Sequence, residues 1–117
     1  MQIREETRNG ILVLIPRGRI DSGTSAAFEA RLAQAVSGGK ATVVIDLAEV
    51  TAVGSVGLRS LLVATKAARA AGSRIVLAGL PESVRQAFVV SGFSGLFAVH
   101  PNLDAAIRAL SGHQTKK

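Results

Sequence analysis

Residues 41–47, ATVVIDL, form a short and almost uninterrupted apolar run rich in β-branched side chains. A strand with one wet face alternates apolar with polar residues; a run like this one suits a strand buried on both faces. SRIVLAGL, residues 73–80, repeats the feature. Between the two runs, Leu58, Leu61, Leu62, Thr65 and Ala68 keep a helical period up to Ala71-Gly72, a natural helix stop. Buried strands joined through helices imply a largely parallel sheet with right-handed crossovers.

The remaining segments extend that pattern. IREET and ILVLIPRGRI read as two strands joined at Asn9-Gly10, a dipeptide whose residues both tolerate the positive φ of a tight hairpin. Pro16 marks the second strand as an edge strand or as bulged at that point. Phe28, Leu32, Ala35 and Val36 then share one helical face. Asp21, Ser22 or Thr24 can cap that helix, and SGGK, residues 37–40, ends it. PESVRQAFVVSG opens a helix with Pro81 as its first residue and closes it at Gly92. GLFAVH is a last short strand, and NLDAAIRALSG is a final helix capped by Asn102. The expected fold class is therefore α/β: a mixed, mostly parallel sheet of about five strands with about four helices, in the order ββαβαβαβα. A single domain is expected over residues 1–112, with residues 113–117 a polar, disordered tail.

Composition excludes several functions. The chain of 117 residues has no cysteine, so it carries no disulfide framework and no thiolate metal site. No apolar run approaches the ~20 residues needed to span a membrane. The start, MQIREETRNG, lacks an apolar signal core, which makes the cytoplasm the expected address. The net charge of +6 comes from basic residues dispersed along the chain, and the aromatics are four Phe with no Tyr or Trp. A single-strand binder uses stacking rings, so direct nucleic-acid contact is not expected. The two histidines, His100 and His113, have no orienting partner in the pattern, which argues against a Ser-His-Asp site and against a metal site. Asp46 ends a buried strand as a phospho-accepting aspartate does, but no acidic pair accompanies it to hold Mg²⁺. It reads instead as a turn or cap carboxylate near Ser55.

Ser55 lies in AVGSVGLRSLL, after a strand and at the mouth of a helix. One reading makes it the N-cap of that helix, with Gly54 and Gly57 shaping a tight turn. The other makes it the carrier of a phosphate. The first N–H groups of a helix lack internal partners and favour an anion. Glycines also let another molecule approach the backbone, and Gly54 can hold a positive φ. At 100° per residue, Ser55, Arg59 and Lys66 lie on one flank beside the apolar face, so Arg59 stands one turn from a phosphate on Ser55.

From ILVLIPRGRID to the last helix, the chain resembles a STAS domain, the sulfate-transporter and anti-sigma-factor-antagonist family. Val44 to Leu47 match the family's buried strand ending in Asp-Leu, and Ser55-Val56-Gly57 match its serine turn. Gly72 and Gly92-Phe93 match the ends of the next two helices. The resemblance implies a non-catalytic bacterial regulator of sigma factor-dependent transcription with no cofactor and no metal. Its implied partners are an anti-sigma factor with serine kinase activity, which phosphorylates the turn serine, and a serine phosphatase that resets it. Ser55 matches the phosphorylated serine, and Asp21 matches an aspartate that closes the second strand near the turn. The implied partner surface comprises Asp21, Ser22, Gly54, Ser55, Val56, Gly57, Arg59 and Lys66, without membrane insertion, on a monomer or weak dimer. Two stations depart from the family: Gly54 stands where an acidic residue is usual, and Val56 where a second hydroxyl is usual. Two other readings stand beside this one. The first is a scaffold or transporter-associated STAS subunit whose serine is not phosphorylated. The second is a small nucleotide- or nucleic-acid-binding module.

Overall fold

The computed structural model describes residues 2–37 and 41–115. Strand β1 (Gln2–Arg8) pairs antiparallel with β2 (Ile11–Ile20). The turn between them has Asn9 at φ 54° and Gly10 at φ 78°, as an Asn-Gly hairpin requires. Helix α1 (Ser25–Val36) leads to β3 (Thr42–Asp46) and then to β4 (Val50–Val53). Helix α2 (Ser55–Ala70), β5 (Arg74–Ala78) and α3 (Glu82–Val90) follow. A 3-10 turn (Ser94–Leu96), β6 (Ala98–His100) and α4 (Leu103–Thr115) complete the chain.

The order is thus ββαββαβαβα, one strand more than the pattern predicts. The strands run β1-β2-β3-β5-β6 across the sheet, with β4 also paired to β2. Strand β2 explains the addition. Its first half pairs in parallel with β3 through Leu12–Leu14, and its last residues, Gly18–Ile20, pair with β4. Pro16 falls between these two pairings, where no parallel-ladder N–H is required. So β2 is an interior strand rather than an edge strand. Its irregularity comes later than Pro16, between Gly18 and Arg19, where Gly18 adopts φ 94° as a bulge glycine does.

Both faces of the central strands are covered. On one face Leu14, Ile45 and Leu77 pack with Phe28 and Leu32 of α1, Leu58 and Leu61 of α2, and Val84 and Phe88 of α3. On the other, Val13, Val44 and Val76 pack with Ala106, Ile107 and Leu110 of α4. Full burial of such a side chain stabilises by ~1.5–3 kcal/mol, which is why these strands read as continuous apolar runs.

Helix ends follow sequence rules closely. Gly72 and Gly92 take positive φ after α2 and α3. Ser73 N–H then donates to Ala68 O at 2.7 Å, and Phe93 N–H to Phe88 O at 2.9 Å, the six-to-one bond of a Schellman stop. Asn102 caps α4, its Oδ1 accepting from Ala105 N–H at 2.8 Å. Pro81 is the N-cap of α3 (φ −61°, ψ 159°), one position before the expected one. Thr24 holds the N-cap position of α1 without capping it. Helix α4 runs to Thr115, taking in three residues expected to belong to the tail; Lys116 and Lys117 lie outside the described residues, as do Gly38 and Gly39. Among the described residues, no helix is long and apolar enough to cross a membrane.

Candidate functional site

Strands β2 and β4 run in parallel and end level, with Ile20 opposite Val53. Asp21 and Gly54 follow them, so two loops meet at one end of the sheet. Gly54 N–H donates to Ile20 O at 2.9 Å, and a Cβ on Gly54 would lie 3.9 Å from the Asp21 Cβ. The structure therefore sets the loop that begins at Asp21 beside the turn at Gly54 and Ser55.

The local geometry corrects three expectations. Gly54, not Ser55, is the N-cap of α2, and Ser55 is the first helical residue. The Ser55 hydroxyl is exposed and makes no hydrogen bond among the described residues. Second, Gly54 sits at φ −82°, ψ 175°, an extended conformation open to any residue. Third, Gly57 makes room for this chain's own backbone rather than for another molecule. A Cβ there would stand 2.6 Å from Ile20 O and 2.8 Å from Ile20 Cγ2. Gly57 is buried, and it is what lets α2 lie directly on the end of β2.

The first intrahelical bond of α2 is Leu58 N–H to Gly54 O at 3.0 Å. The N–H groups of Ser55, Val56 and Gly57 precede it and have no acceptor among the described residues. A helix start of this kind attracts anions, and no acidic residue occupies the first turn. Arg59 is exposed one turn along, and Lys66 lies on the same flank. Neither makes an ion pair or side-chain hydrogen bond among the described residues. Val56 and Val63, 46% and 50% exposed, complete the flank. Val63 escaped the sequence reading, although its seven-residue spacing from Val56 places both on one helical stripe. At the border of this flank, buried Ser60 donates to Glu29 Oε2 at 2.7 Å and fastens α2 to α1.

Asp21 has a defined local role. Its Oδ1 accepts from Gly23 N–H at 3.0 Å, and its Oδ2 lies 3.4 Å from Arg19 Nε. Thr24 Oγ1 donates to Arg19 O at 2.8 Å and accepts from Asp21 N–H at 3.0 Å. That hydroxyl is engaged backwards on the loop, which is why it does not cap α1. Asp46 is a turn carboxylate, its Oδ1 accepting from Ala48 N–H at 3.1 Å. A Cβ on Gly79, at φ 71°, would lie 2.9 Å from that same oxygen, so the half-buried Asp46 sits close against Gly79 at the end of β3 and β5. Among the described residues, no three His, Cys, Asp or Glu side chains gather to hold a metal. His100 stands at the end of β6, and the His113 side chain lies outside the described residues.

Comparison with known proteins agrees with this geometry. The profile of the STAS domain family matches residues 2–106. BtrV of Bordetella bronchiseptica, a candidate anti-sigma factor antagonist, is 33% identical over 109 residues, covering 93% of this chain and 94% of that protein. The crystal structure of an anti-sigma factor antagonist from Mycobacterium paratuberculosis superposes with a TM-score of 0.79 at 28% identity, covering 94% of this chain and 93% of that one. The anti-sigma factor antagonist SpoIIAA, in its unphosphorylated form, shares the fold with a TM-score of 0.77 at 20% identity, covering 95% and 97%. Anti-sigma factor antagonists are non-enzymatic regulators. With its six-stranded sheet, its serine turn at the head of α2 and its homology to these antagonists, the chain belongs to the STAS domain family.

Proposed function

We propose that this protein is a partner-switching anti-sigma factor antagonist, controlled by phosphorylation of Ser55. In this reading it acts in the cytoplasm. Unmodified, it binds an anti-sigma factor that is also a serine kinase, and so frees a sigma factor. Phosphate on Ser55 breaks that complex, and a serine phosphatase restores it. The observation that carries the proposal is the exposed Ser55 hydroxyl at the first position of α2, without a partner among the described residues, as are the backbone donors beside it, and one turn from Arg59. A phosphate there carries about −1.5 to −2 charge. It meets the helix start and the Arg59 guanidinium, both of which favour it. The end-to-end similarity to BtrV supports the antagonist class.

The partner surface in this reading is the exposed flank of α2 with the loop at Asp21 and Ser22. The test is phosphorylation by the cognate kinase with ATP, followed by intact-mass and peptide analysis. The expected product carries one phosphate, at Ser55, and Ser55→Ala takes none. Phosphate on Ser22, Ser60 or Ser91 with none on Ser55 would sink the proposal.

A second reading, a scaffold or transporter-associated STAS subunit that is never phosphorylated, draws on Gly54 and Val56. These replace the acidic and hydroxyl neighbours of the family serine. The space at Gly54, open to 3.9 Å, means that the missing acid is not a steric requirement. Equal affinity of unmodified and Ser55-phosphorylated protein for the kinase would favour this second reading.

A further inference from the structure

An open groove of about 470 Å³ lies where β5 and β6 end. Leu80, Val99 and Pro101 form its strand side, and Arg85, Phe88 and Val89 its α3 side. None of these residues belongs to the proposed switching surface. The three α3 residues share one face at positions i, i+3 and i+4. Phe88 is buried and packs against Phe97 with ring centroids 5.3 Å apart, so the floor of the groove is fixed. Val89 and Val99 are 59% and 44% exposed. Exposed apolar walls around a concave site mark binding surfaces, and the volume is within the ~300–1,000 Å³ of small-molecule sites. Ligands of open α/β sheets also bind beyond the carboxyl ends of the strands.

The polar groups of the groove define the ligand. Arg85 and His100 line it, and among the described residues no carboxylate does. Neither side chain has a hydrogen bond or ion pair among the described residues. Glu82, one turn before Arg85, is 3.4 Å from the Gln86 Nε2 that donates to it. A permanently charged guanidinium with free donors, set at an apolar groove, matches a carboxylate head on a hydrocarbon chain. We infer that this groove binds a free medium-chain carboxylate, its head on Arg85 and His100 and its chain along Val89 and Val99.

Calorimetry with octanoate and 1-octanol tests the assignment, since the two differ only in the head group. Octanoate is expected to bind saturably to the full chain, at least ~10-fold more tightly than octanol, as a charged hydrogen bond predicts. Arg85→Gln should weaken octanoate ~10-fold or more and leave octanol unchanged. Val89→Asp should weaken both. Arg85 and Val89 are exposed, and thermal melts by circular dichroism will verify that both variants fold. The inference is overturned by equal binding of the two ligands, by an Arg85→Gln variant that keeps its octanoate affinity, or by the absence of saturable binding. Two further results would also overturn it by assigning the groove another occupant. One is self-association in the ultracentrifuge that Val89→Asp abolishes and octanoate does not compete with. The other is co-sedimentation with phosphatidylglycerol vesicles that Arg85→Gln abolishes in a protein that ignores octanoate.

Discussion

Gly54 and Gly57 stand three residues apart and carry opposite constraints. A Cβ on Gly57 collides with the backbone oxygen of Ile20 at 2.6 Å, and backbone cannot swing aside as a flexible side chain can. Gly57→Ala should therefore destabilise by ~1–3 kcal/mol, the cost of forcing atoms into a packed site. Gly54 has an ordinary φ, and its nearest neighbours would be 3.9 Å from a Cβ. Gly54→Asp should change stability by no more than ~0.5 kcal/mol, because glycine and aspartate are both good N-caps. It also restores the acidic neighbour usual before the family serine. Ser55→Ala should likewise stay within ~0.5 kcal/mol, since the hydroxyl is exposed and makes no hydrogen bond among the described residues. Urea melts of the three variants will check the ranking, and a costly Ser55→Ala would mean that the hydroxyl has a structural partner. The sequence placed Ser55 at the mouth of a helix but could not say whether it was the cap or the first helical residue. Serine and glycine are both common caps, and helix ends shift by one residue on small changes of geometry.

At the scale of elements, α2 was legible and β4 was not. Helix α2 has about three turns of apolar periodicity, from Leu58 to Ala68, and glycine punctuation after Ala71. Strand β4 has four residues, VTAV, with buried Val50 and Val53 at its two ends. That spacing is neither an alternation nor a continuous run. It becomes a strand because β2 is ten residues long and outruns its pairing with β3, leaving an unpaired ladder that β4 completes. Such pairing is decided by the neighbour rather than by the segment itself. The same logic placed Pro16 in an interior strand, against its local preference. The groove between α3 and β6 was invisible for a related reason, since only the crossover brings Arg85 and His100 to the same groove. The two faces of α2 make a clean test of the element. Leu61 is fully buried against the sheet, whereas Val63 is half exposed. Leu61→Ala should cost ~2–5 kcal/mol, because the packed site keeps a cavity, and Val63→Ala less than ~1 kcal/mol. Denaturant midpoints at unchanged slope will measure both, and similar losses would place Val63 in the core.

Over the whole molecule, the sheet divides two helix-covered faces. Helices α1, α2 and α3 cover one face and α4 the other. Surface links tie α4 back to the opening hairpin, with Arg8 Nη2 2.8 Å from Asp104 Oδ1 and Asn9 Nδ2 3.0 Å from Ser111 Oγ. These contacts are exposed, and the Arg8 pair adds at most ~1 kcal/mol. The face carrying α2 leaves Arg59 and Lys66 without an ion pair among the described residues, around Val56 and Val63. The net charge of +6 is spread along the chain, so global attraction to an acidic partner does not distinguish the faces; only local charge does. Reversing one charge on each face separates the two contributions. Arg59→Glu and Arg108→Glu change the net charge equally, from +6 to +4, since each replaces one positive charge by one negative. Both residues are exposed, so neither change should disturb the core. If the proposed anti-sigma partner docks on the α2 flank, Arg59→Glu should weaken its binding by ~10-fold or more, while Arg108→Glu on α4 should leave it within ~2-fold. Calorimetric titrations at two salt concentrations complete the test, because a contact built on exposed charge weakens as the Debye length falls from ~10 Å at 0.1 M to ~3 Å at 1 M. Equal losses from the two variants, fading together in high salt, would mean that the proposed partner senses the overall charge and that the α2 flank is not its docking surface.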